Sequence, residues 1–136
     1  MQTVGQLCER ALHNMYSSSL NPSIDVYRGE DNEEKVAPCL IVAAQNATEV
    51  VLNTGNYRVG LTITTKQIAS DTDVDDNDTT IASSAYDLLA DNQETLVNYI
   101  TGLYIDDVQV TGQSLDRDGD CWNQKLEIDI ICRQTT

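Results

Sequence analysis

Residues 55–64 read Gly55-Asn56-Tyr57-Arg58-Val59-Gly60-Leu61-Thr62-Ile63-Thr64, and the reading of this stretch decides the fold. Its first eight residues nearly spell a phosphate-binding loop, but Leu61 stands where a lysine must reach the β- and γ-phosphates. A second period runs straight through the same residues. Tyr57, Val59, Leu61 and Ile63 alternate with Arg58, Gly60, Thr62 and Thr64, which is the pattern of a strand with one buried and one polar face. The stretch is a strand, and no nucleotide binding is implied.

Upstream, Asn53-Thr54-Gly55-Asn56 supplies a turn, and Glu49 to Asn53 is expected to pair briefly before it. Val36 to Ala44 is an apolar run interrupted only by Pro38, which predicts a buried strand whose first part lies at an edge or bulge. Ile24-Asp25-Val26-Tyr27-Arg28 alternates, and Gly29 opens a polar loop through Lys35. Further back, Val4, Leu7, Cys8, Ala11, Leu12 and Met15 recur at helical spacing and form one apolar stripe. Thr3 and Gln6 have capping-box spacing, and Ser17-Ser18-Ser19 with Pro22 marks the stop. His13 lies off the stripe and is expected in solvent.

Downstream, Ile81, Ala85, Leu88, Leu89, Leu96, Tyr99 and Ile100 predict a second helix closed by Gly102. Leu103 to Val110 reads as a strand and Thr111 to Asp120 as a polar loop. The last strand is long: Trp122, Leu126, Ile128, Ile130 and Cys132 face one way, with Asn123, Lys125, Glu127, Asp129 and Arg133 opposite. The predicted order is helix, two or three strands, a long strand, helix, two strands. Hairpin-length connections and only two helices predict an α+β fold, a mostly antiparallel sheet with two packed helices. No repeat or linker divides the chain, so 1–136 reads as a single domain.

The 136 residues include 22 acids and 8 bases, a net charge of −14. Such a balance argues against groove binding to duplex nucleic acid, which needs clustered Lys and Arg, and against docking on an anionic membrane. The core must be aliphatic, since there is no Phe and one Trp. The longest apolar run, Cys39 to Ala44, is far below the ~20 residues of a membrane-crossing helix, and the N-terminal residues do not read as a signal peptide. The charge is uneven. Residues 70–79 and 103–120 together hold nine of the fourteen excess negative charges.

Each motif that suggests chemistry lacks a necessary part. Asp71-Thr72-Asp73-Val74-Asp75-Asp76-Asn77-Asp78 opens like a calcium loop, but Asp76 replaces the turn glycine and Ala82 the closing Glu. Asp116-Arg117-Asp118-Gly119-Asp120 has Glu127 at the closing position, yet its glycine is misplaced and the run reads better as a hairpin turn. Cys8, Cys39, Cys121 and Cys132 never approach C-x-x-C spacing, so no metal is expected. They read as reduced, mostly buried thiols of an intracellular product. His13 is the only histidine, which leaves a Ser or Cys nucleophile without a base. Asp106 and Asp107, consecutive in a strand, are expected on opposite faces. No catalytic residue, cofactor site or enzymatic activity is therefore expected. Asn46-Ala47-Thr48 and Asn77-Asp78-Thr79 are chance matches to the glycosylation pattern.

The whole-chain order resembles the tail terminator (tail-completion, neck) proteins of long-tailed bacteriophages. The resemblance rests on several features in sequence. They are an N-terminal amphipathic helix, the strand end Val26-Tyr27-Arg28-Gly29, the strand containing Pro38, the alternating strand Tyr57 to Lys66, a helix, and a final pair through Asp116-Arg117-Asp118-Gly119-Asp120-Cys121-Trp122-Asn123. The Asp-rich insertion before the second helix departs from that pattern. The resemblance implies a structural virion protein, assembled in the host cytoplasm, whose homohexameric ring ends the tail tube and meets the head-connector (neck) proteins. DNA is then only passing cargo, and no catalytic residue or membrane partner is implied.

On that basis Asp71, Asp73, Asp75, Asp76 and Asp78, or Asp116, Asp118 and Asp120, are candidates to line the lumen. Negative walls there keep like-charged DNA from adhering. Arg58 and Lys66 on one polar strand face, and Glu127 and Asp129 on another, are candidate subunit contacts. The alternative reading is a small acidic binding module, either calcium-dependent or a DNA-mimicking inhibitor.

Overall fold

The computed structural model describes residues 3–20, 24–29, 39–49, 55–68, 81–92, 95–118 and 121–134. The alternating stretch becomes β3 (Asn56–Ile68), the middle strand of five. Around it stand α1 (Val4–Ser19), β1 (Asp25–Arg28), β2 (Cys39–Glu49), α2 (Ile81–Asp91), a 3-10 turn (Leu96–Tyr99), β4 (Leu103–Asp118) and β5 (Cys121–Gln134). The sheet order is β1-β2-β3-β5-β4. All pairs are antiparallel except β1 with β2. The α+β class follows, with one parallel strand at an edge.

The period-2 residues of β3 sort as their chemistry requires. Val59, Leu61 and Ile63 are buried, and they meet Leu40 and Val42 of β2, Ile128 and Ile130 of β5, and Leu12, Met15 and Tyr16 of α1 in one aliphatic core. Burying each such side chain contributes about 1.5–3 kcal/mol. Helix α1 begins where the capping box places it. Thr3 Oγ1 accepts the Gln6 amide at 3.2 Å, and Gln6 Oε1 accepts the Thr3 amide at 2.8 Å. At its other end Ser18 Oγ donates to the carbonyls of Asn14 (3.0 Å) and Met15 (3.1 Å), the competition with backbone bonding that serines bring to helix ends. The Tyr16 hydroxyl crosses the core to donate to the Ala85 carbonyl at 2.8 Å, tying α1 to α2.

Five local expectations are corrected. The second helix does not run from Ile81 to Ile100. It ends at Asp91, because Asn92 folds its side-chain amide back onto the Leu88 carbonyl at 2.8 Å and Thr95 Oγ1 bonds Asn92 Oδ1 at 3.1 Å. Such side chains offer the backbone alternatives to the helix ladder. Leu96 is buried from the 3-10 turn instead, and Gly102, at φ +94°, turns the chain into β4.

Thr111 to Asp118 is not a loop but the second half of β4, paired with β5 as far as Asp118 opposite Cys121. Register shifts between Ile105 and Asp107 and between Val110 and Gly112 each reverse which parity faces the core. Ile105, then Val108 and Val110, then Gln113 and Leu115 stand opposite the β5 residues of the core-facing parity, and no single period survives. The first shift also changes the relation of Asp106 and Asp107. Asp106 Oδ2 lies 3.6 Å from Arg133 Nε, while Asp107 stands opposite Ile131 and bonds the Val108 amide.

Strand β2 continues through Gln45–Thr48 to Glu49, with a bulge between Ala44 and Asn46, rather than pausing after Ala44. The glycosylation-like Asn46-Ala47-Thr48 is therefore strand. Finally, His13 is half-buried, its Nε2 3.2 Å from the Val26 carbonyl of β1. Residues 36–38, 50–54 and 69–80 lie outside the described residues. No described helix is long and apolar enough to cross a membrane.

Candidate functional site

The two faces of the sheet differ in kind. One is covered by α1 and α2, and the other is polar and bears charges from β3, β4 and β5. On that face Arg58 Nη1 reaches Asp129 Oδ2 at 3.0 Å and Gln109 Oε1 at 3.4 Å. Lys125 Nζ stands 4.0 Å from Glu127 Oε1. The Arg133 guanidinium sits over the Tyr104 ring, 4.5 Å from its centre. Acids and bases thus neutralise one another locally across neighbouring strands, an arrangement worth little to stability when exposed.

The sequence candidates fall into three groups. Arg58 and Asp129 come together within one chain. Glu127 stands opposite Thr62 and Gly112, and a Cβ on Gly112 would lie 3.0 Å from Glu127 Oε2, so the glycine makes room for that carboxylate. Lys66 is half-buried opposite Cys39 and Asn123, away from the Arg58 cluster. Asp116 and Asp118 occupy the last positions of β4, opposite Asn123 and Cys121. Asp71, Asp73, Asp75, Asp76, Asp78 and Asp120 lie outside the described residues. Among those described, no three His, Cys, Asp or Glu side chains converge as metal ligands.

Sequence reasoning missed a buried acid. Glu9, on α1, places Oε1 2.9 Å from Arg28 Nε and accepts the Ala44 amide on Oε2, also at 2.9 Å. Strand β1 ends at Arg28, and Gly29 donates the last bond to the Val42 carbonyl at 2.8 Å. The Ala44 amide is the next β2 donor on that side, so the Glu9 carboxylate replaces the missing strand. The only signal in the sequence is that Gly5, Glu9, Leu12 and Tyr16 share a helical face.

Two hollows adjoin the sheet. One, of about 470 Å3, follows the open stretch of β2 beyond β1 and is bordered by Thr3, Gln6, Glu9, Ala44 and Asn46. The other, of about 500 Å3, lies between α2 and the far ends of β3, β4 and β5, among Ile63, Ala85, Tyr86, Leu115 and Leu126, with Lys125 the one charged residue of its wall among the described residues. Among the described residues, neither brings a nucleophile, base and acid together. Strand β4 is the far edge of the sheet. It carries Tyr104, Val110 and Leu115, three of the four large apolar side chains exposed among the described residues.

No family model and no curated protein sequence matches the chain. Among solved structures, the fold is similar to that of a chain in the virion of a native gene transfer agent particle. The TM-score is 0.52 at 10% sequence identity, over 96% of this chain and 94% of that one. At such identity the similarity is one of fold, and it extends across nearly the whole of both chains.

Proposed function

We propose that this protein is a structural subunit of a phage-type virion, forming the ring that terminates the tail tube and joins it to the head connector. The observation that carries the reading is the fold shared with a gene transfer agent virion chain over 96% and 94% of the two lengths. Fold likeness by itself is an analogy, and the surface adds a physical argument. A ring grows by heterologous contacts, in which one surface of each copy meets a different surface of the next. The β4 edge offers backbone hydrogen-bonding groups together with exposed Tyr104, Val110 and Leu115, and unprotected edges of this kind invite pairing with another chain. The acidic runs at 71–78 and 116–120 are then candidate lumen or rim surface, and Arg58, Lys66, Glu127 and Asp129 candidate contacts between copies.

Native mass is the direct test. The expected species is a ring near six copies of the 15.0 kDa chain, or a chain that caps purified tail tubes. A strict monomer at high concentration that also leaves tube ends unchanged overturns the reading.

A further inference from the structure

Cys8 on α1 and Cys132 on β5 are 124 positions apart in sequence, yet their sulfur atoms lie 3.7 Å from each other. Both side chains are fully buried and both thiols are free. We propose that these two thiols are a latent disulfide site, which an oxidant of the peroxide class closes to fasten the N-terminal helix to the last strand. The bond requires the sulfurs to approach to about 2.05 Å, a shortening of about 1.6 Å. Cys39, the other thiol whose side chain is described, is buried on β2 opposite Asp25 and Lys66.

The contact also bears on the order of attack. The hydrogen bond between the two sulfurs lowers the Cys132 thiol from its ordinary range, against the opposing effect of burial, and it raises Cys8. Either sulfur can donate in that contact, and the lowered thiol favours Cys132 as the first nucleophile. In the first step the Cys132 sulfur bonds one peroxide oxygen and the O–O bond breaks. The departing hydroxide takes a proton and leaves as water, and Cys132 becomes a sulfenic acid. In the second step the Cys8 sulfur attacks the Cys132 sulfur, the S–O bond breaks, and the Cys8 proton leaves with the hydroxyl as a second water. Two thiols lose two electrons, and one peroxide becomes two waters.

Burial makes the site slow while α1 is docked, since the oxidant must enter as the helix lifts from the sheet. The site stands on its geometry alone. Its timing rests on the virion reading: the bond forms after particles leave a reducing cytoplasm.

The test treats the purified full-length chain with hydrogen peroxide, followed by intact mass and non-reducing peptide mapping. The expected result is a loss of about 2 Da, one linked peptide pair joining Cys8 to Cys132, reversal by dithiothreitol, and a melting temperature raised by several degrees in the oxidised form. Cys8→Ala and Cys132→Ala should each abolish the link, and Cys39→Ala should retain it. Wild-type protein that forms no link, links other cysteines, or passes to irreversible sulfinic acid overturns the proposal without recourse to any variant. Because the chemistry is read on the isolated chain, its failure is separate from any failure to form rings.

Discussion

Glu9 on α1 and Arg28 at the end of β1 form a buried ion pair of 2.9 Å, with side chains only 7% and 15% exposed. The second Glu9 oxygen holds the Ala44 amide. One carboxylate therefore secures the helix, the short parallel strand and the donor that strand leaves unpaired. Breaking a buried pair by removing one partner is costly because the other charge stays behind. Glu9→Ala should destabilise the protein by about 3–5 kcal/mol in urea unfolding, and Glu9→Gln by distinctly less, since an amide oxygen still accepts one of the two bonds. Equal midpoints for wild type and Glu9→Ala would show that the pair holds nothing.

Tyr16 links stability to alkaline pH. Burial raises its phenol above the ordinary value of about 10, so the unfolded chain loses this proton first as pH rises. Above about pH 10 the unfolded state then binds fewer protons than the native state, and stability falls with pH. Tyr16→Phe should cost about 1–3 kcal/mol at neutral pH through the abandoned Ala85 carbonyl. It should also flatten the decline between pH 10 and 11, read as the difference between two series of denaturation midpoints. Parallel series would remove Tyr16 as the cause.

Gly29 is required by proximity rather than by an unusual backbone angle. A Cβ there would lie 2.7 Å from Ala43 Cβ and 3.3 Å from Ala43 Cα. Gly29→Ala should destabilise by about 1–3 kcal/mol through overpacking, and Ala43→Gly in the same chain should recover part of the loss. A double-mutant cycle with no coupling would mean that β1 shifts freely to accept the methyl.

Assembly and monomer stability should separate at the surface. Val110→Lys on the β4 edge and Arg58→Glu on the polar face both change exposed residues. Each should leave the unfolding midpoint of the monomer within about 1 kcal/mol of wild type. Val110→Lys should reduce ring formation at least about tenfold, because a lysine on an edge strand opposes pairing. Arg58→Glu should weaken ring formation most at low ionic strength, where charge contacts are least screened. Rings of unchanged yield in both variants would move the contact surface elsewhere.

Calcium offers a direct discrimination from the acidic-module alternative. The run Asp71 to Asp78 lacks the turn glycine and closing Glu of a calcium loop. Millimolar calcium should therefore leave the melting temperature unchanged to within about a degree. A saturable rise would favour the binding-module reading.

The legible parts of this molecule are those whose cause is local. Alternation through Tyr57–Lys66 identified the central strand because Val59, Leu61 and Ile63 pack into the core on one face while Arg58, Thr62 and Thr64 stand on the other. Thr3 and Gln6 identified the start of α1 because a capping box closes within one turn. Where a long-range partner decides the local state, the pattern failed. Thr111–Asp118 is polar yet extended because β5 supplies backbone bonds along its whole length, and two bulges scramble the alternation that would have revealed it. The helix expected through Ile100 stops at Asp91 because Asn92 and Thr95 bond the chain to itself, while an apolar spacing continues past the break.

By itself, the sequence determined the α+β class, the aliphatic core, the central strand and the concentration of acid in two segments, since each follows from composition or from a period of two or 3.6 residues. Only the tertiary structure decided the parallel edge strand, the buried Glu9–Arg28 pair and the contact of Cys8 with Cys132. Those features join groups 19 and 124 positions apart, and no local period records which distant residues packing will bring together.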